Sequence, residues 1–118
     1  MSPDEAVQRL NTVLAHAWMV RNFLKHAEEV QDDEEMLDVH RTIFDFIRAV
    51  EPSAQRGDTR EYLHRLRGKL PRLRRAAECF AREYHRVSSH TNFEMAAASL
   101  TGCVRHIEEI LAAVQVEP

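Results

Sequence analysis

The longest regular pattern in the sequence is a row of apolar residues that recurs every three or four positions between residues 62 and 87. Its members are Tyr62, Leu63, Leu66, Leu70, Leu73, Ala77, Phe80, Tyr84 and Val87. This spacing places all of these side chains on one side of an α-helix. Such a helix, about 42 Å long at about 1.5 Å per residue, has to bury that side against other parts of the chain.

Three further segments repeat the same spacing, and helix-capping patterns mark where helices begin. Ser2, Asp58 and Thr91 each stand three positions before a glutamate, as N-cap residues do. The chain has only three Gly and four Pro, which favours an all-α fold. We predict an antiparallel up-down-up-down four-helix bundle that forms one domain over residues 1–118. Its helices cover about residues 3–30, 33–50, 59–87 and 92–114.

The third predicted helix contains two residues that weaken helices, Gly68 and Pro71, within the segment LHRLRGKLPRLRR (63–75). Both lie on the side opposite the leucines. Pro71 has no N–H to donate to the carbonyl of Arg67, and its ring presses against that carbonyl. The sequence therefore predicts a third helix that is kinked near Gly68-Pro71 and keeps its apolar side intact.

Charge is unevenly distributed, although the net charge is only −3. Residues 28–38 carry seven acids and no base, whereas residues 56–75 carry eight Arg or Lys and two acids. Basic residues follow one another along the outer side of the third helix, and we call this row the basic face: Arg60, His64, Arg67, Arg75 and Arg82.

Two interpretations of the basic face stay open. It can bind an acidic protein partner, or it can simply keep a long helix in water while the arginines at 72–75 pair with the acidic start of the second helix. Nucleic acid is a poorer match. No aromatic residues alternate with the arginines, and the sequence has no helix-turn-helix or zinc pattern.

The segment His64-Arg65-Leu66-Arg67-Gly68 resembles the signature of histidine phosphotransfer domains, which are also four-helix bundles. The resemblance implies that His64 accepts a phosphoryl group and that Arg67 neutralises its charge. It also implies that Gly68 leaves room for the active site of a partner.

A second short resemblance lies in the first helix. The segment Arg21-Asn22-Phe23-Leu24-Lys25-His26 is similar to the R-[N/D/H]-x3-H motif of HEPN-type ribonucleases, helical domains that usually act as dimers. The resemblance implies that Arg21 stabilises the phosphate charge and that His26 acts as acid or base. Alternatively, His26 is a solvent-facing cation near a helix C-terminus, where it suits the helix dipole.

In the predicted bundle, the ends of the first and third helices meet the starts of the second and fourth. This pole gathers polar residues that we treat as a candidate binding site: His26, His85, His90, Asn92 and Glu94. No pair among them has strong zinc-ligand spacing, and we predict no metal and no other cofactor. His40 falls within the apolar row of the second helix, so we interpret it as a buried structural residue.

Trp18, the only tryptophan, lies on the side of the first helix away from its apolar row. If exposed, a tryptophan in that position, with an arginine nearby, is a candidate anchor for a protein contact and suggests a homodimer. Alternatively, a broader core or the loop region covers its ring.

The remaining sequence features concern compartment and reaction. The segment MSPDEAVQRL has no basic start or apolar run of a signal peptide, and no segment reaches the ~20 apolar residues of a membrane span. Cys79 and Cys103 show no metal or disulfide spacing, so we expect a reducing cytoplasm. We predict a non-catalytic cytoplasmic interaction or regulatory module that binds a protein partner or itself. Phosphotransfer at His64 and RNA cleavage at Arg21 and His26 are the alternatives.

Overall fold

The computed structural model describes residues 1–114, which form four α-helices. They are α1 (Pro3–His26), α2 (Glu34–Gln55), α3 (Thr59–Val87) and α4 (Thr91–Ala113), with a single 3-10 turn at Glu28–Val30 between α1 and α2. No strand is present in this part of the chain. The predicted all-α four-helix bundle is confirmed.

Each helix packs against its two neighbours around the bundle, in the order α1, α2, α3, α4. The start of α1 meets the end of α4, where the N-terminal ammonium donates to the carbonyl of Ala113 at 3.0 Å. At the other end of the same two helices, the rings of Phe23 and Phe93 are 5.0 Å apart. α1 and α4 therefore lie side by side at both ends, and the up-down-up-down order of all four helices stays a prediction.

α3 occupies the predicted residues, 59–87, and begins where Asp58 accepts a hydrogen bond from the backbone N–H of Glu61 at 3.1 Å. Gly68 and Pro71 lie within it as exposed residues, and the four leucines on its other side are buried. The helix continues through Pro71 without a break, and a kink at this point stays a prediction.

α1 ends at His26, so the predicted continuation to residue 30 is wrong. Ala27 adopts an extended backbone, and the chain then makes the 3-10 turn. The side chain of Gln31 donates to the carbonyls of Lys25 and Ala27, which satisfies oxygens at the end of the helix. Val30 is fully buried, which explains why the apolar spacing continued past the end of the helix.

α2 is longer than predicted, because it continues past residue 50 to Gln55 and includes Pro52. The segment expected to be a loop, 51–58, is therefore mostly helical. Ser53 is fully buried and its carbonyl accepts from the N–H of Asp58, so this last turn is part of the core. Gly57, with a φ of 67°, ends the turn in the left-handed conformation that glycine adopts without a steric penalty.

Two helix starts differ slightly from the prediction. α2 begins after Asp33, whose side chain accepts from the N–H of Met36 at 3.0 Å. His90 is the N-cap of α4 in place of Thr91, because its Nδ1 accepts from the N–H of Asn92 at 3.0 Å. α4 therefore covers 91–113, and residue 114 lies just outside it.

One hydrophobic cluster fills the space between the helices, and its fully buried members include Leu10, Ile43, Leu66, Phe80 and Ile107. The buried polar residues of the described chain are His40 and Ser53. Among residues 1–114, no helix is long and apolar enough to cross a membrane.

Candidate functional site

More than half of the 16 Arg and Lys residues of the chain lie on α3. Its 29 residues include nine Arg or Lys and three Glu. All five residues of the basic face (Arg60, His64, Arg67, Arg75 and Arg82) are exposed, and Lys69 and Arg72 lie exposed beside them. The structure therefore presents these predicted binding residues together on one helix.

Most of these cations have no ion pair. Within residues 1–114, no carboxylate lies within 4.0 Å of Arg60, Arg67, Lys69, Arg72, Arg75 or Arg82. The α3 arginines that are paired lie elsewhere on the helix: Arg65 with Glu61, Arg74 with Glu108 and Arg86 with Asp33.

The expected pairing of the arginines at 72–75 with the acidic start of α2 is not found. Arg86 makes that contact instead, donating to Asp33 at 2.7 Å, because the last turn of α3 is level with the first turn of α2. Arg74 reaches across to α4. The arginines of the basic face are consequently left facing solvent.

Two surface depressions lie along the unpaired cations. The larger, about 860 Å³, is lined by Gly68 and Pro71 together with the flanking basic side chains. The smaller, about 490 Å³, lies between α3 and α2 and includes Cys79 and Glu35. Arg72 and Arg75 line both, so the two depressions lie next to each other along α3, and we call them together the strip.

Cys79 does not supply a nucleophile to this strip. Burial, together with the neighbouring carboxylate of Glu35, raises the pKa of the Cys79 thiol. The Cys79 Sγ lies 3.6 Å from a carboxylate oxygen of Glu35 and is the donor of that contact. A thiol held in its protonated form is a poor nucleophile.

His64 lies on the wall of the larger depression, and it is exposed. Arg67 and Gly68 line the same depression, so the structure brings together the three residues of the phosphotransfer interpretation. A Cβ at Gly68 would meet no atom within 4 Å, which shows that the space beside the histidine is open.

The polar residues at the pole are spread over its surface. His90 is held by its hydrogen bond to the N–H of Asn92, and His85 contacts the edge of Tyr84 at a centroid distance of 5.7 Å. His26 and Glu94 are exposed on α1 and α4. Across residues 1–114, no group of three or more His, Cys, Asp or Glu side chains is placed to hold a metal ion.

His40 lies at the α1/α2 boundary near the pole and is 9% exposed, as its place in the apolar row predicts. Burial lowers the pKa of His40, and the positive charges of Arg21, Arg41 and Lys25 lower it further. The imidazole is therefore held neutral, which suits a structural residue of the bundle.

Trp18 is half-buried and packs against α2, which agrees with the alternative that a broader core covers its ring. Its ring centroid is 6.0 Å from that of Phe44. The guanidinium of Arg21 lies 4.8 Å from both centroids, and Arg48 lies 5.6 Å and 5.0 Å from them. These four side chains form a cation–π stack that stabilises the α1/α2 boundary.

Arg21 is already engaged within the chain. Besides its stacking, it donates to Asn22 Oδ1 at 3.0 Å, and its Nε is buried with no hydrogen-bond partner among residues 1–114. His26 follows five residues later, about 140° around the helix, and is exposed. Within one copy, α1 thus directs the two residues of the HEPN-like motif to different sides.

Sequence reasoning missed two features of these surfaces. The Trp18–Phe44 stack joins two helices, and no spacing within one helix reveals it. The open strip beside Arg72 and Arg75 depends on which arginines find a carboxylate, and that follows from the three-dimensional alignment of α2 with α3.

Comparison with known proteins assigns no relatives: no family model, no curated protein and no solved structure matches the chain. The resemblances to histidine phosphotransfer domains and to HEPN ribonucleases therefore depend on their short motifs alone. Function has to be inferred from the side chains and their geometry.

Proposed function

We propose that the protein is a non-catalytic interaction module, and that the basic face of α3 binds an acidic segment of a protein partner. The observation that carries the proposal is that six exposed cations of α3, four on the basic face and two beside it, have no ion pair within residues 1–114. Because these side chains are unpaired, an acidic partner gains their Coulomb attraction without first breaking internal salt bridges.

The shape of the strip supports an extended ligand. From Glu61 to Arg82 the strip is about 32 Å long at the rise of an α-helix. An extended peptide of about ten residues at about 3.3 Å each spans the same distance. Its carboxylates would meet arginines along the whole length, with Arg72 and Arg75 at the centre.

A labelled peptide of about ten glutamates, long enough to span the strip, tests this proposal by fluorescence anisotropy. We expect binding at low salt that weakens as NaCl is added. Replacing Arg67→Glu and Arg75→Glu together should weaken binding by about tenfold or more, since each change turns an attraction into a repulsion. The matched control is Arg41→Glu with Arg105→Glu, which changes net charge equally on other helices.

Three results would contradict the proposal. The first is no binding at low salt, and the second is an equal loss in the control pair. The third is that a single-stranded oligonucleotide of about ten nucleotides binds more tightly than the glutamate peptide. A nucleic acid, held by its phosphates, would then be the better match for the basic face.

We also place the protein in the cytoplasm. Both cysteines, Cys79 and Cys103, are free, and thiols persist in that state in a reducing compartment. Fractionation of cells that express the tagged chain should recover it with cytoplasmic markers, and recovery with another compartment would overturn this assignment.

A second candidate function is phosphotransfer at His64, and the open space beside this exposed histidine favours it. An imidazole nitrogen would form a bond to the phosphorus of an aspartyl phosphate. The bond between phosphorus and the aspartate oxygen would break, and the carboxylate would leave with the bonding electrons. Arg67 would neutralise the phosphoryl oxygens.

Incubation with a phosphorylated receiver domain tests this second candidate. Phosphotransfer predicts label on the chain that is stable in base and labile in acid, and its loss in His64→Gln. His106→Gln is the control, since His106 is exposed on α4. Absence of label on the wild-type chain would exclude His64 as an acceptor from that donor.

A further inference from the structure

The smaller depression of the strip carries charges of opposite sign on its two sides. On the side formed by α2, which we call the acidic wall, are Glu35 and Asp38. On the side formed by α3, which we call the basic wall, are Arg72, Arg75 and Arg82. Because both walls line one depression, they lie at the same level along the bundle.

The charges of the two walls do not neutralise each other within one copy. Among residues 1–114, no carboxylate lies within 4.0 Å of the three arginines of the basic wall. The ion pairs of the acidic wall are long, since Asp38 is 4.0 Å from Arg41 and Glu35 is 3.9 Å from Arg86. The side chain of Asp38 is 82% exposed. Both walls are therefore available to a partner.

A ligand of one sign is a poor match for the smaller depression. The acidic wall repels a purely acidic segment, and the basic wall repels a purely basic one. The larger depression has no such conflict, because the acid that lines it, Glu61, is paired with Arg65. The smaller depression therefore needs a partner that presents a row of acids beside a row of bases, in the reverse order.

A second copy of this chain presents that arrangement. Rotation by 180° about an axis along the groove between α2 and α3 lays α2 of one copy over α3 of the other. Since the two walls of each copy are level, each acidic wall then meets the basic wall of the other copy. The smaller depression is complementary in charge to itself under this rotation, and this property selects a second copy over a partner of one charge.

We propose that the smaller depression binds the same depression of a second copy and forms a two-fold symmetric dimer. Ion pairs between the acidic wall of each copy and the basic wall of the other hold it together. Arginine suits these contacts, because its long side chain can cross the gap between two shallow depressions and its guanidinium binds a carboxylate through two parallel hydrogen bonds. The inference rests on the proposed function, and it names a second copy as the protein that supplies the carboxylates.

The size of the depression predicts a weak dimer. Nine residues line it in each copy, whereas an interface of standard size contributes about 20–30 residues a side. Exposed ion pairs are also screened by salt. We therefore expect a dimer that forms at high protein concentration and low salt, and dissociates on dilution.

Sedimentation equilibrium at low salt tests the dimer. The mean mass should rise from 13.7 kDa towards twice that value with concentration, and about 0.5 M NaCl should return it to 13.7 kDa. Arg72→Glu with Arg75→Glu reverses most of the basic wall, and Glu35→Lys with Asp38→Lys reverses the acidic wall. Each double variant alone should be monomeric, because like charges then meet. An equimolar mixture of the two should dimerise, because their walls are again complementary.

The matched controls reverse the same charges at exposed positions on α1 and α4. They are Lys25→Glu with Arg105→Glu, and Glu94→Lys with Glu109→Lys. Each control should dimerise like the wild type when it is measured alone. Circular dichroism should show unchanged helix content in all four double variants.

The glutamate peptide separates this inference from the proposed function. Glu35→Lys with Asp38→Lys removes two repulsive carboxylates from the strip, so this variant should bind the peptide at least as tightly as the wild type while it loses the dimer. A wild-type chain that binds the peptide and stays monomeric at every concentration would overturn the dimer and leave the proposed function in place. A dimer that persists in about 0.5 M NaCl, or in either wall variant alone, would also overturn it.

Discussion

Arg86, in the last turn of α3, donates to both carboxylate oxygens of Asp33, the N-cap of α2, at 2.7 Å and 3.4 Å. One of these oxygens also accepts from the N–H of Met36. Asp33 therefore fixes the first turn of one helix to the last turn of another. This contact also explains why the acidic start of α2 does not neutralise the basic face.

Asp33→Ala should lower the free energy of unfolding by about 1 kcal/mol from loss of the cap alone. The hydrogen bond from Arg86 holds the pKa of Asp33 below its ordinary value of 3.8. A lowered carboxyl pKa stabilises the fold above pH 3.8, and this contribution disappears as the pH falls through the lower folded value. Urea unfolding at several pH values should show the difference between variant and wild type shrink in acid.

The control for this experiment is Asp32→Ala, because Asp32 is the exposed neighbour of Asp33 and lies outside the cap. A similar loss of stability in both variants would contradict the role of the Asp33–Arg86 contact.

His40 should make the bundle less stable in mild acid. Burial, Arg21, Arg41 and Lys25 lower its folded pKa, so the unfolded chain takes up a proton first as the pH falls below 6.5. His40→Leu should remove this part of the pH dependence and leave peptide binding by the basic face unchanged. Thermal unfolding between neutral and acidic pH measures the effect, and His106→Leu, at an exposed position, should retain the wild-type profile.

The three glycines should respond differently to alanine. Gly68 and Gly102 are helical with open space around them, so Gly→Ala at either should stabilise the fold by about 0.5–1 kcal/mol. Gly57→Ala should destabilise it by about 1–2 kcal/mol, because its φ is in the left-handed region. Chemical denaturation of the three variants measures their free energies of unfolding. A gain in stability for Gly57→Ala would refute this prediction.

Tyr62 should limit stability in strong base. Its hydroxyl donates to Asn11 Oδ1 at 3.0 Å, and burial raises its pKa to about 12 from an ordinary value of 10.0. The unfolded chain therefore loses the phenol proton first, and stability falls as the pH rises from 10 towards 12.

Tyr62→Phe should remove that loss in base and cost about 0.5–1.5 kcal/mol at neutral pH through the missing hydrogen bond. Tyr84→Phe, at a less buried position, is the control. An unchanged alkaline profile in Tyr62→Phe would show that another group causes the loss.

The sequence predicts the bounds and the buried side of α3, because its apolar row and the Asp58 cap both belong to a single helix. Prediction from the sequence fails where the apolar spacing continues beyond the point at which the helix ends. Val30 fills the core from a 3-10 turn, and Pro52 lies in the last turn of α2 because Val50 and Ser53 are buried there. Local patterns record which side chains are buried, and they do not record the backbone that buries them.

The candidate functional surfaces were also predictable from the sequence only in part. The basic face could be predicted, since its members share one helix. Whether its arginines are free depends on the contact of Arg86 with α2, and the burial of Trp18 depends on Phe44. Contacts of this kind join distant parts of the chain, so no window of sequence contains them.

The separation of charge between α3 and the rest of the chain has a practical consequence for purification. With a net charge of −3 and an isoelectric point near 6.2, the protein should bind an anion-exchange resin at neutral pH. Resins respond to local patches as well as to net charge, and the exposed arginines of α3 should therefore also retain it on a cation exchanger at low salt. If the protein binds both resins, it presents α3 to the cation exchanger and its acidic surface to the anion exchanger.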